Sequence, residues 1–241
     1  MRIPCRTADE YGRTTVTPRN LIEGVVADMS SAPALYIARH AETVFNRAAR
    51  MQGPDAHTPL THRGIDQAHA MGRRLRALIG PGPRIDVWTS TAGRTRQTAA
   101  IICEHLELDY FNARADERLQ EIDVGDWVGR SYADIEAEIG PFVDWQRRVF
   151  TVAPPGGETY PQVAARLADW LGERRAAEER DRPLLVITHG MSARLLRGLI
   201  LGGDGVPPMP ADAPQGTIFH VADGGEHILT PDDAGQPASP A

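Results

Sequence analysis

Leu35-Tyr36-Ile37-Ala38-Arg39-His40-Ala41-Glu42-Thr43-Val44-Phe45-Asn46 is the stretch on which the reading of the whole chain turns. Leu35 to Ala38 are four apolar residues in a row, which predicts a short strand buried on both faces of a helix-covered sheet. Arg39 and His40 then arrive together at the strand's carboxyl end, the edge where open α/β sheets bind ligands. Glu42 and Thr43 open a polar turn, with Asn46 three residues on. An imidazole beside a guanidinium suits attack on an anionic phosphorus centre. A lone histidine at a strand end is more often a hydrogen-bonded structural residue. Here a second apolar run, Leu184-Leu185-Val186-Ile187, leads in the same way into Thr188-His189-Gly190 and a helix. Two histidines at equivalent strand ends can share one site.

A chain of 241 residues can bury a full core as one α/β domain, or as one domain with a small insertion. Its 41% apolar and 24% charged residues are those of an ordinary globular protein. A net charge of −6 lacks the basic face that a nucleic-acid partner requires. Any anion site must then be a local arginine cluster, which singles out Arg39 and Arg94. Cys5 and Cys103 are too few and too far apart for a disulfide framework or a cysteine-based zinc site. No apolar run reaches membrane-spanning length, and residues 1–30 carry no signal-type hydrophobic segment. A cytoplasmic setting and no membrane partner are expected. Oligomeric state leaves no trace in the sequence.

Residues 1–32 lack periodicity and read as a loosely packed or disordered extension. A short helix is expected within 43–50. Thr61 caps a longer one whose stripe is Ile65, Ala68, Met71, Leu75 and Leu78, ended by Gly80-Pro81-Gly82-Pro83. Ile85 to Trp88 read as a strand leading to Thr89-Ser90. Residues 91–99 then turn into a helix that places Arg94 in its first turn. A helix N-terminus already favours anions, and a guanidinium adds a fork for phosphate oxygens. Leu108 to Phe111 form a weak strand candidate. Residues 131–150 read as two helical pieces broken by Gly140-Pro141, inside an insertion at 112–158 that covers the site. Glu158-Thr159 starts a helix with Val163, Leu167 and Trp170 or Leu171 on one face, running into a solvated charged stretch from Glu173 to Asp181. Residues 191–201 are an apolar helix and 202–215 a Gly- and Pro-rich loop. Thr217–Val221 and Glu226–Leu229 read as a hairpin, and 231–241 as a disordered tail. The expectation is one domain over 33–230: an α/β three-layer sandwich, its mostly parallel central sheet carrying helices on both faces and a helical insertion over the site.

Four stretches make the sequence resemble the histidine phosphatase superfamily, the group that contains the cofactor-dependent phosphoglycerate mutases. They are Arg39-His40-Ala41-Glu42-Thr43 with Asn46; Leu60-Thr61-His62-Arg63-Gly64 with Gln67-Ala68 and Gly72; Thr89-Ser90 with Arg94 and Gln97-Thr98-Ala99; and Thr188-His189-Gly190. The resemblance implies that His40 is a nucleophile that takes the phosphoryl group as a phosphohistidine. Its imidazole must then be neutral, and Arg39 and Arg94 would favour that form by like-charge repulsion. Arg39, Asn46, Arg94, His189 and Gly190 would hold the phosphoryl oxygens. Glu121 aligns with the family's proton donor, which a bound phosphate dianion would keep protonated; Asp123, two residues on, is the alternative. No metal and no other cofactor is implied. Ala41, Val128 and Met191 depart from the residues usual in the family, and none of the three removes a reacting group.

The expected activity is therefore a metal-independent phosphomonoesterase acting on a small phosphorylated metabolite. The alternative is phosphoryl transfer of the phosphoglycerate-mutase type. Arg147-Arg148 resembles a basic pair of the mutases, whereas Tyr132 stands where those enzymes carry a lysine, which favours hydrolysis. A zinc hydrolase lacks any close ligand spacing in this sequence. A binding module without turnover would have little reason to keep Arg39, His40, Arg94, Glu121 and His189 together.

Overall fold

The computed structural model describes residues 34–55, 57–177, 182–202, 210, 215–222 and 224–229. The expected extension at 1–32 and tail at 231–241 lie outside the described residues, as do 178–181 of the charged stretch and most of the 202–215 loop.

In chain order the strands are β1 (Leu35–Arg39), β2 (Asp86–Thr89), β3 (Arg114–Ala115), β4 (Val143–Asp144), β5 (Val149–Phe150), β6 (Leu184–Thr188), β7 (Ile218–Ala222) and β8 (Gly225–Leu229). The helices are α1 (Val44–Arg47), α2 (His62–Ile79), α3 (Gly93–Leu106), α4 (Tyr132–Ile139), α5 (Tyr160–Ala176) and α6 (Gly190–Leu201). A central sheet runs β3-β2-β6-β1-β7-β8. Its first four strands are parallel, and β7 and β8 return antiparallel as the expected hairpin.

Alternation along the strands sorts the core into two layers, since successive side chains in a strand face opposite ways. Leu35, Ile37, Leu184 and Val186 pack with Leu167, Trp170, Leu195 and Leu199, so α5 and α6 cover one face. Tyr36, Ala38, Leu185 and Ile187 pack with Met71, Leu75, Ile102 and Leu106, so α2 and α3 cover the other. The three-layer reading thus holds. Both strands that carry a site histidine are buried on both faces, as their unbroken apolar runs require.

Register does the positioning. β1 and β6 are parallel neighbours with Arg39 opposite Thr188, so the next residues, His40 and His189, leave the sheet side by side. β2 lies on the other side of β6 with Thr89 opposite Ile187, which brings Ser90 to the same edge.

Three local expectations are corrected. The segment after Gly140 is not a second helical piece: Val143 and Phe150 pair across the β4–β5 hairpin. Phe142, Val143 and Phe150 are apolar groups that must be covered, and Trp127, Tyr132 and Tyr160 supply the rings that cover them. The tip closes through Asp144, whose Oδ1 accepts from the N–H groups of Gln146 (3.0 Å) and Arg147 (2.9 Å), with Arg148 at φ +52°. The weak strand expected at 108–111 is replaced by a 3-10 turn over Tyr110–Asn112, and the pairing strand is Arg114–Ala115 beyond it. On α2, Ala68, Met71 and Leu75 are buried, but Ile65 and Leu78 at the ends of the expected stripe are 39% and 49% exposed.

Candidate active site

The carboxyl edge of the sheet opens into a cavity of about 440 Å³ lined by Arg39, His40, Asn46, Arg94, Glu121 and Gly190, with Met51, Tyr132, Val143, Trp145 and Phe150 among its apolar walls. The imidazoles of His40 and His189 stand 5.2 Å apart, centre to centre, at 66° to each other. The structure thus brings together at one edge His40 and His189, which lie 149 positions apart in the sequence (189 − 40).

Hydrogen bonding fixes which nitrogen of His40 can react. Its Nδ1 lies 2.7 Å from the carbonyl oxygen of Ala41. A carbonyl only accepts, so Nδ1 must carry the proton and Nε2 keeps its lone pair. His40 is 2% exposed. Burial, then the charges of Arg94 and Arg39, hold its pKa well below the ordinary histidine value. The ring is therefore neutral at pH 7. The expectation from sequence rested on the arginines alone; desolvation is the larger cause.

His189 is fully buried, and its pKa is likewise well below the ordinary value, again by burial first and Arg94 second. Its Nδ1 accepts from Arg94 Nη2 at 3.1 Å, and its Nε2 lies 2.7 Å from Ser90 Oγ. A hydroxyl can either accept or donate. Ser90 is therefore a compatible partner for either tautomer of the ring. The Thr89-Ser90 pair stands out in the sequence as a strand end, but this role depends on β2 lying beside β6.

Arg94 enters from the first turn of α3 and is only 1% exposed. Its Nη2 donates to Gly53 O at 2.7 Å, and its Nη1 reaches Asp55 O and Thr58 Oγ1. Gly53, Asp55 and Thr58 thus hold the guanidinium through neutral oxygens, while the nearby carboxylates of Glu121 and Asp55 favour its charged form. Burial lowers its pKa to about 10, so it stays cationic at neutral pH. The Nε atoms of Arg39 and Arg94 are both buried without a hydrogen-bond partner. Buried donors of this kind carry a desolvation cost that an arriving anion would remove. Gly190 leaves room for Arg39: a Cβ there would sit 3.2 Å from its Cζ and 3.3 Å from its Nε.

Asn46 lines the same cavity. Its Oδ1 accepts from Thr43 N (3.1 Å) and Gln215 Nε2 (2.7 Å). Of the two carboxylates left open by the sequence, Glu121 lines the cavity, whereas Asp123 faces a separate crevice behind it. The Glu121 carboxylate accepts from Ile122 N at 3.0 Å and from Met191 N and Ser192 N at 3.3 Å. It is thereby tethered to the N-terminus of α6, where dipole and free N–H groups favour an acidic side chain. Arg166 and Glu158, which hold the Glu121 backbone, carry no signal in the sequence. Among the described residues no group of three His, Cys, Asp or Glu side chains could hold a metal ion. None of the described helices is long and apolar enough to cross a membrane.

The family model for the histidine phosphatase superfamily (branch 1) matches residues 35–231. The chain belongs to that superfamily. Both branches of its chemistry are represented among relatives of this histidine phosphatase superfamily member. It is 37% identical over 178 residues to a 2,3-bisphosphoglycerate-dependent phosphoglycerate mutase of Methylobacterium sp. (strain 4-46), covering 71% of this chain and 81% of that one. It is 34% identical over 179 residues to the glucosyl-3-phosphoglycerate phosphatase of Mycobacterium tuberculosis, covering 69% and 76%. Among solved structures, a mycobacterial glucosyl-3-phosphoglycerate phosphatase in complex with VO3 superposes with a TM-score of 0.65 at 30% identity, over 78% of this chain and 92% of that one. YhfR of Bacillus stearothermophilus gives the same TM-score, 0.65, and 30% identity, over 83% and 96%.

Proposed function

We propose that the protein hydrolyses phosphomonoesters of small metabolites through a phosphohistidine on His40. The observation that carries this reading is the 2.7 Å contact of His40 Nδ1 with Ala41 O, which leaves the Nε2 lone pair free in a cavity flanked by Arg39 and Arg94. In the first step Nε2 attacks phosphorus and the bond from phosphorus to the leaving oxygen breaks. The Glu121 carboxyl gives a proton to that oxygen. Arg39, Arg94, Asn46, His189 and the N–H of Gly190 hold the three equatorial oxygens, where charge builds in the transition state. In the second step Glu121, now a carboxylate, takes a proton from water as the water oxygen attacks the phosphohistidine. Neutral His40 and protonated Glu121 are then restored, and inorganic phosphate leaves. The arginines do the electrostatic work, so no metal or other cofactor is needed.

A partner of this kind is a small phosphorylated molecule. A net charge of −6, with Arg39 and Arg94 gathered in one cavity, favours neither a nucleic acid nor a membrane surface, and it fits a cytoplasmic setting.

Mutase chemistry is the second reading, favoured by one observation: Arg148 of the Arg147-Arg148 pair lines the cavity. Against it, Tyr132, Val143, Trp145 and Phe150 give the same cavity an apolar and aromatic wall alongside the charges of Arg50 and Arg194, and the family resemblance sets Tyr132 where the mutases carry a lysine. Turnover of p-nitrophenyl phosphate with excess chelator present tests the first reading. Activity should survive the chelator, disappear in His40→Ala, and leave an acid-labile label on the wild-type chain from ³²P-labelled substrate. Incubation with 3-phosphoglycerate and catalytic 2,3-bisphosphoglycerate separates the two readings: inorganic phosphate supports hydrolysis, and accumulation of 2-phosphoglycerate supports the mutase.

A further inference from the structure

We propose that Arg166, braced by Glu158, is the positioning residue for the acid of the reaction, fixing the 118–121 backbone so that the Glu121 carboxyl meets the leaving oxygen. This rests on Glu121 being the proton donor in the proposed function.

Arg166 sits on α5, on the far side of the acid loop from the phosphate site. All five of its N–H donors are engaged. Nε donates to Glu158 Oε1 at 2.9 Å and Nη2 to Glu158 Oε2 at 2.9 Å, a two-pronged pairing. The other three hydrogens go to three carbonyls of the acid loop: Nη1 to Arg118 O (2.7 Å) and Gln120 O (2.8 Å), and Nη2 to Glu121 O (3.1 Å). Glu158 in turn accepts from Asp123 N at 3.0 Å through its side chain and donates its own N–H to Asp123 O at 2.8 Å. The backbone of residues 118–123 is therefore held on both sides of Glu121 by one ion pair. Two glycines let the segments approach: a Cβ on Gly157 would lie 2.4 Å from Asp123 O, and one on Gly125 would lie 2.1 Å from Pro155 O.

The clamp stands behind the acid and apart from the substrate. Arg166 and Glu158 line a crevice of about 300 Å³ with Gln120 and Asp123, and neither lines the cavity that holds His40. Glu121 is the one residue on both linings. Both partners are mostly buried, with side-chain exposures of 18% and 24%, so the pair is shielded more than a surface bridge. A lysine could keep the charge but has one nitrogen and cannot serve two carboxylate oxygens and three carbonyls at once.

A purely structural ion pair and an acid-positioning clamp differ in how the reaction responds to its leaving group. Proton donation matters most when the departing oxygen is strongly basic and least when it is p-nitrophenolate. The test compares kcat/KM for an alkyl phosphate with that for p-nitrophenyl phosphate in the wild type, Arg166→Lys, Glu158→Gln and Glu121→Gln, with melting temperatures alongside. Arg166→Lys should lower kcat/KM for the alkyl ester at least about tenfold, part of the roughly 10²–10⁴-fold available from general acid catalysis. It should lower that for p-nitrophenyl phosphate less than about threefold. Glu158→Gln should shift in the same direction by less. Equal losses on both substrates in Arg166→Lys, or none on either, overturn the clamp, provided Glu121→Gln shows the selective loss. If Glu121→Gln is itself unselective, the reading of Glu121 as the acid fails first. Should Arg166→Lys not fold, Glu158→Gln decides by the same ratio.

Discussion

Gly190→Ala is a one-methyl test of whether Arg39 must lie where it does. Gly190 opens α6, and its backbone is outside the left-handed region, so alanine is conformationally acceptable there and a slightly better helix former. The added Cβ would stand 3.2 Å from Arg39 Cζ, 3.3 Å from Nε and 3.5 Å from Nη1. Ordinary carbon contacts begin at about 3.5 Å, so the guanidinium must retreat by a few tenths of an ångström. A misplacement of about 1 Å at a reacting centre can cost roughly 10²-fold. A few tenths at one of several phosphate donors should therefore cost about three- to tenfold in kcat/KM. Complete loss of such a donor is worth about 2.7–4 kcal/mol, which bounds the effect from above. The assay is p-nitrophenyl phosphate kinetics with a thermal melt and a vanadate inhibition constant. Vanadate binding should weaken in step with kcat/KM while the melting temperature holds or rises slightly. Unchanged kinetics with an unchanged melt would remove Arg39 from the phosphate site.

Three further outcomes are expected. Ser90→Ala removes the group 2.7 Å from His189 Nε2 and leaves a buried ring nitrogen unpaired; a stability loss of about 1–3 kcal/mol by urea titration and a drop in kcat should appear together. Because both site histidines are held well below their ordinary value, kcat/KM should show no acid limb near 6.5, falling only at markedly lower pH. Stability follows the same sign: the unfolded rings take up protons below about pH 6.5 while the native ones do not, so the melting temperature should be level above that pH and decline beneath it. Gly125→Ala places a Cβ 2.1 Å from Pro155 O at a residue with φ +48°; the strain should destabilise by more than about 1 kcal/mol, and a melt within about 1 °C of wild type would show that the two loops can part freely.

Much of the sheet was legible because its parts announce themselves. Leu35–Ala38 and Leu184–Ile187 are unbroken apolar runs with a polar step at the end, and only strands covered on both faces read that way. From there, parallel pairing made the meeting of His40 and His189 a matter of register. The edge strand Arg114–Ala115 was not legible, because both its side chains are exposed and only the partner Trp88–Thr89 makes it a strand. The β4–β5 hairpin was obscured by its length: two-residue strands carry no period, and Gly140-Pro141 suggested a break between helices. The ends of the α2 stripe depart from the helical pattern because Ile65 and Leu78 overhang the layer that buries Met71. Around the site, charged groups were visible and their supports were not. Ser90, the carbonyls of Gly53 and Asp55, and the Arg166–Glu158 pair act through contacts that no spacing encodes.

The β4–β5 hairpin leans its rings on Trp127 and Tyr160 and lends Val143, Trp145 and Phe150 to the cavity wall, while the groups proposed to face phosphate descend from the sheet edge and the first turns of α3 and α6. Selection can therefore redraw the wall that greets the alcohol half of a substrate by editing eight consecutive positions, 143–150, and leave the chemical engine untouched. Trp145, at 60% exposure, is the easiest of these to exchange. A scaffold divided in this way can acquire new clients one aromatic at a time.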